Sequence, residues 1–159
     1  MDLDEAETDH LRAAIAVARN ARMNGNHPFG AILVDASGVQ VLAAENSVVT
    51  ARDATGHAET NLVRMASLRY PPAELAASTL YTSTEPCAMC AGAIYWVGIG
   101  RVVFALSETG LRELTGANPA NPTLALPCRE VFARGQREIT VVGPVDLPEA
   151  PAVHAGFWD

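Results

Sequence analysis

Two short clusters thirty positions apart constrain this chain more than any other feature: His57-Ala58-Glu59, and Pro86-Cys87-Ala88-Met89-Cys90. Each opens a helical pattern. His57 to Leu68 carries Leu62, Met65 and Ala66 at helical spacing, and Pro86 introduces a second run from Cys87 to about Trp96. Cysteines three apart in the first turn of a helix share one face, so both sulfurs can reach a single ion. The helix start adds exposed N–H groups and a partial positive charge, which favour the thiolate that zinc requires. His57 offers a nitrogen ligand from the other helix start. A fold that satisfies the pattern must bring two helix beginnings together, with a strand fitted into the gap between them.

Three protein ligands leave zinc one open position, which distinguishes a catalytic site from a structural one. The remaining cysteine, Cys128, lies in a different segment, so no four-cysteine site can be assembled. A water in the open position would be acidified toward neutrality. Glu59 follows the histidine too closely to be a comfortable second ligand and is placed instead to move protons. A lone Cys-x-x-Cys also reads as a redox pair, and a lone His-x-Glu as a capped helix start. Their combination in this order favours the metal.

The rest of the chain reads as strands and helices around these clusters. Asp4 and Glu7 form a capping-box pattern for a first helix with Leu11, Ile15, Ala18 and Arg22 at helical spacing, stopped at Asn24-Gly25. Gly30 to Asp35 and Val39 to Ala43 read as a hairpin across Ala36-Ser37-Gly38. Asn46 to Gly56 reads as a loop, and Tyr70-Pro71-Pro72 ends the second helix. Ser78 to Ser83 and Arg101 to Leu106 read as strands. Leu111 to Pro127, punctuated by Gly116, Pro119, Pro122 and Pro127, reads mostly as loop, and a loop that long is often functional. A short helix over Cys128 to Arg134, a fifth strand over Glu138 to Val142 and a helical tail over Glu149 to Trp158 complete the pattern. Alternating strand and helix across 159 residues, with no linker or repeat, predicts a single α/β domain spanning 1–159.

Composition limits the partners. Eleven basic residues, all arginine, face 18 acidic ones for a formal net charge of -7. That balance disfavours nucleic acid held by counterion release. The uncharged stretch Pro86 to Gly100 is shorter than the ~18 apolar residues a membrane helix needs, so no membrane span is expected. An odd, small number of cysteines and an acidic start, where a signal peptide would be basic and then apolar, predict a cytoplasmic protein.

The motifs His27-Pro-Phe-Gly-Ala31, Glu45-Asn46, Gly56-His-Ala-Glu59, Tyr81-Thr-Ser-Thr-Glu-Pro-Cys-Ala-Met-Cys90 and Ala93-Ile-Tyr-Trp96 resemble the cytidine deaminase-like superfamily, in its guanine deaminase and tRNA adenosine deaminase branch. The resemblance implies an α-β-α sandwich, a five-stranded mixed sheet flanked by helices, with Zn2+ held by His57, Cys87 and Cys90 and protons carried by Glu59. By position it implies substrate contacts from the amide of Asn46, the backbone of Ala58, and Phe29 and Trp96 near the pocket wall. The terminal Phe157-Trp158 reads two ways, as a segment closing over the base or as a hydrophobic anchor for the tail. Guanine deaminases use a second acid after the fourth strand, where this chain has Gly116-Ala117-Asn118-Pro119; Glu108 and Glu113 are the nearby candidates. The expected reaction is hydrolytic removal of an amino group from a free heterocyclic base: a guanine-like purine, isoguanine, cytosine, azacytosine or an amino-s-triazine. A tRNA adenosine deaminase is the alternative, disfavoured by a tail from Val145 to Asp159 with three acids and no arginine. The family also implies a homodimer.

Overall fold

The structure is a computed structural model that describes residues 2–159. The first helix, α1 (Glu5–Met23), begins at the capping box read from the sequence: Asp4 Oδ1 accepts from the Glu7 N–H at 2.8 Å, and the Glu7 carboxylate accepts from the Asp4 N–H at 3.2 Å. Its buried stripe of Leu11, Ala14, Ile15 and Ala18 lies on the sheet. Gly30 opens β1 (Gly30–Val34) directly beneath that helix, where a Cβ would fall inside the α1 backbone at Ala14 and Ala18. The hairpin closes with β2 (Gln40–Glu45).

Helix α2 (Ala58–Arg69) follows the loop, and the short α3 (Pro72–Ala76) then leads into β3 (Thr79–Thr84). Helix α4 (Ala88–Val97) crosses to β4 (Arg101–Leu106), which runs parallel to β3. After β4 come α5 (Glu108–Thr115), α6 (Cys128–Ala133), β5 (Thr140–Val142) and α7 (Glu149–Ala152). The five strands form one mixed sheet in the order β2-β1-β3-β4-β5, antiparallel on the β2 side and parallel from β3 to β5.

Both faces of the sheet are covered, and the two-residue period of the strands sorts their side chains between two cores. Ala31, Leu33, Leu80, Val102 and Phe104 pack with Leu62, Val63 and Ile94 of α2 and α4. Ile32, Val34, Tyr81, Val103 and Ala105 pack with α1 and the C-terminal segment on the other face. The architecture is the α-β-α sandwich expected from the sequence. No helix among the described residues is long and apolar enough to cross a membrane.

Two expectations are corrected. The stretch after Leu106 is not loop from Leu111 onward: α5 occupies Glu108–Thr115, started by Ser107, whose hydroxyl accepts from the Gly110 N–H at 3.0 Å. Gly110 within the helix and the prolines beyond Gly116 hid it. The tail is helical only over Glu149–Ala152. Pro148, Pro151 and Gly156, the last at φ +71, break it into turns.

Those turns are fastened rather than loose. Arg22 Nη1 donates to the carbonyls of Val153 and Ala155 at 2.9 and 2.8 Å, and its guanidinium lies over the Phe157 ring. His154 is buried, and its Nδ1 accepts from the Trp158 indole at 3.0 Å while its Nε2 finds no partner. Burial holds the His154 imidazole down to about 4. Above the unfolded value of 6.5 both states keep it neutral; between 6.5 and about 4 the unfolded chain takes up a proton that the folded chain refuses. Stability should therefore fall on acidification through that window, by at most about 3 kcal/mol. His154→Gln, which can still accept from the indole but gains no proton, should flatten that part of a stability-against-pH curve measured by urea unfolding.

Candidate metal centre

The ligands predicted from the sequence meet. His57 is the N-cap of α2, Cys87 the N-cap of α4, and Cys90 lies one turn into α4. The Sγ atoms of Cys87 and Cys90 are each 3.6 Å from His57 Nδ1, and all three ligand atoms lie within 4.8 Å of one another. A tetrahedral zinc with ordinary Zn–S and Zn–N bonds separates such sulfur and nitrogen atoms by about 3.6 Å. The donor set and its spacing fit the ion.

The electrostatics are those of a site prepared for a cation. The Cys87 thiol is held down to about 4, first by the hydrogen bond from Cys90 and also by His57 and the α4 backbone. The same interaction and burial push Cys90 up, while the contact with Cys87 pushes His57 up. Metal loading must strip the protons that Cys90 and His57 retain, so binding releases protons and weakens in acid.

Glu59 lies in the first turn of α2 and is only 5% exposed. Burial pushes its carboxyl up, opposed by the Thr82 hydroxyl at 2.5 Å from its Oε1. That hydroxyl is also 2.9 Å from the Thr84 carbonyl. Because a hydroxyl carries a single proton, Thr82 can donate to only one of them. When it donates to the carbonyl, the Glu59 carboxyl must itself carry a proton and donate to Thr82.

A cavity of about 270 Å³ opens beside the ligands, and His57, Cys87, Glu59, Phe29 and Asn46 line it. The Asn46 side chain is buried with Oδ1 accepting from the Val48 N–H at 3.1 Å, which turns its NH₂ toward other acceptors. Ala58 is the first residue of α2, so its N–H has no partner within the helix. Glu108, at the start of α5, also lines the cavity; burial first, and then the neighbouring anionic groups Cys87, Glu85 and Glu59, raise its carboxyl to about 7. Residues 120–124 form a roof on the loop between α5 and α6.

Other candidates lie elsewhere. Trp96 is 81% exposed and does not line the cavity. It sits near the far end of α4, about 13 Å along the axis from the cysteine that starts the helix, which corrects the expectation of a pocket wall. Glu113 is exposed on α5 and absent from the cavity lining. Phe157 and Trp158 do not line it either: they pack in T-shaped contacts on His27, and Trp158 also lies against Phe29, so they back the wall that His27 and Phe29 present. Thr82 and Glu85 were missed as participants. Their available signal was the unbroken polar run Thr82 to Glu85 directly before the Pro86-Cys87 turn; all four residues are buried.

Residues 4–106 match the family described as the cytidine and deoxycytidylate deaminase zinc-binding region. The chain belongs to this family. It is 43% identical over 158 residues to a probable cytosine deaminase of Schizosaccharomyces pombe, covering 99% of this chain and 96% of that protein. It is 37% identical over 103 residues to a tRNA-specific adenosine deaminase of Buchnera aphidicola subsp. Schizaphis graminum, covering 65% of this chain and 68% of the relative. A solved guanine deaminase of Nitrosomonas europaea superposes with a TM-score of 0.72 at 25% identity, covering 91% of this chain and 80% of that one. The family is one of zinc-dependent hydrolytic deaminases, and the His57-Cys87-Cys90 group is where this deaminase can bind its metal. Purified protein should carry about one zinc per chain by elemental analysis, and Cys90→Ala should weaken zinc binding by at least the ~100-fold seen when merely supporting residues of metal sites are lost.

Proposed function

We propose that the protein deaminates a free amino-substituted nucleobase, cytosine first among the candidates, by hydrolysis. The observation that carries this reading is the charge of the cavity. Its ionisable lining consists of His27, His57, Cys87 and three carboxylates, Glu59, Glu85 and Glu108, with no arginine. A phosphate entering such a cavity meets only acidic charge beyond the metal ligands, whereas a neutral base is indifferent to it. The full-length similarity to a probable cytosine deaminase supports the pyrimidine, as does an Asn46 amide turned to donate to a ring carbonyl. A tRNA substrate has the weaker support, because neither the cavity nor the C-terminal segment offers the cations that phosphates require.

When bound, zinc would be held by His57, Cys87 and Cys90 and would supply a Lewis acid that lowers the pKa of the water in its open position. Asn46 and Phe29 hold and orient the ring, and the N–H of Ala58 offers a further donor. The Glu59 carboxylate takes one proton from the attacking water and delivers it to a ring nitrogen, then takes the second from the hydroxyl now on the carbon and delivers it to the departing amine. One water is consumed, the exocyclic C–N bond is replaced by a C=O bond, and ammonia leaves. Thr82 holds Glu59 in place and shares its proton. The Glu108 carboxyl, protonated in part near neutrality, can donate to a second acceptor on the base.

An ammonia-release panel of cytosine, guanine, isoguanine, adenine, their nucleosides, amino-s-triazines and an anticodon stem-loop tests the assignment. Turnover of free bases and not of the stem-loop is expected; activity confined to the stem-loop refutes it. Glu59→Ala should keep its zinc and lose about 10²–10⁴-fold in kcat. The homodimer has support from Leu68 on α2 and Trp96 on α4, both more than four-fifths exposed on the helices that carry the metal ligands. Sedimentation should show a dimer that Trp96→Glu weakens.

A further inference from the structure

Glu85 ends the polar run of β3, immediately before the Pro86-Cys87 turn, and its side chain is buried. Oε1 accepts from the backbone N–H of Glu108 at 3.0 Å, and Oε2 from the backbone N–H of Cys128 at 2.9 Å. The Glu85 N–H itself donates to the Leu106 carbonyl at 2.7 Å, which fixes the residue against the end of β4. Glu108 is the first residue of α5 and Cys128 the first of α6. Their N–H groups are among those that a helix start leaves without an internal partner. One carboxylate therefore satisfies both, and each such bond to a charged acceptor is stronger than one between neutral groups.

These two contacts bracket residues 108–128, the segment that contributes Glu108, Leu111 and the 120–124 roof to the cavity. Between Gly116 and Pro127 the hydrogen bonds are otherwise local, apart from Asn118 Nδ2 donating to the Trp158 carbonyl at 2.7 Å. The roof thus spans a gap whose two feet rest on a single side chain, two residues from the metal ligand Cys87.

We propose that Glu85 is a positioning residue: its carboxylate clamps both feet of the 108–128 segment, and through them holds the cavity roof and Glu108 in place over bound substrate. The clamp is a property of the fold. Its consequence for substrate rests on the deaminase function proposed above. The roof contacts the base before and during reaction alike, so loosening it removes binding shared by ground and transition states and raises KM more than it lowers kcat.

Glu85→Gln leaves one acceptor oxygen and turns an NH₂ toward the other foot, so one of the two N–H groups loses its partner. Cys128→Pro removes the α6 N–H together with the buried thiol that also contacts Glu85, at the first position of a helix, where proline is tolerated, and it keeps the carboxylate. Amide-resolved hydrogen exchange on the zinc-loaded protein reads the clamp directly. With Glu85→Gln, exchange within residues 107–128 should accelerate by about 10–100-fold, as expected for a lost bond to a charged group. The β-sheet and α1 should keep their protection, and the zinc content should not change. Cys128→Pro should reproduce the acceleration on the Leu126 to Ala133 side. KM for the best substrate should rise by about tenfold while kcat changes by less than about threefold.

Unchanged exchange in 107–128, or acceleration spread evenly over the sheet, overturns the clamp. A fall in kcat at constant KM overturns the positioning role and makes Glu85 a participant in the chemistry. If the wild-type protein deaminates no base, the proposed function fails, and the exchange measurement still decides whether Glu85 holds the roof.

Discussion

Everything at this site depends on two helix starts being held against each other at the same edge of the sheet. His57 caps α2 and Cys87 caps α4, and their ligand atoms come within 3.6 Å. The parallel pairing of β3 with β4 forces the chain to cross over between them, and α4 is that crossover. Its start therefore falls at the C-terminal end of β3, the end at which open α/β sheets gather their ligands. The same edge receives Glu85 from the end of β3 and Glu108 from the turn after β4. Partial positive charge from the helix starts offsets some of the cost of burying thiolates and carboxylates there.

That concentration of buried acid is costly on its own. Glu59, Glu85 and Glu108 line one cavity with no arginine to pair with them. Each is accommodated differently. Glu85 accepts hydrogen bonds from two helix N–H groups, Glu59 is bonded to the Thr82 hydroxyl beside the group that can bind a cation, and Glu108 retains its proton to near neutrality. Three carboxylates in three environments can take three roles: a clamp, a proton carrier and a neutral donor. The acidic balance of the whole chain supports the free-base substrate proposed above over a polyanionic one.

The aromatic wall of the cavity has a different origin. Phe29 and His27 face the cavity, but they are backed by Trp158, Phe157 and His154 from the last six residues, which Arg22 of α1 fastens down. Asn118 ties the roof loop to that tail through the Trp158 carbonyl. Cavity wall, tail and roof therefore share one packed unit, and pocket shape depends on residues far from the chemistry.

The metal ligands, Glu59, the capping box of α1 and the alternation of strand and helix were legible in the sequence, because each is a local pattern: a spacing on one helix turn, a cap three residues from its partner, a two-residue or 3.6-residue period. Local patterns are decided by backbone geometry within a few residues, so they survive without knowledge of the fold. Helix α5 was not legible, since Gly110 and the following prolines argue for loop and only Ser107 and packing against the cavity hold it. The exposure of Trp96, the placement of Glu108 in the cavity lining and of Glu113 outside it, and the packing of Phe157 and Trp158 behind the cavity wall also required the tertiary structure. So did the joining of Glu85 to amides 23 and 43 positions away. The sequence by itself determined which chemistry this protein carries. Only the fold decided which side chains enclose it, because enclosure depends on contacts between segments that no local period records.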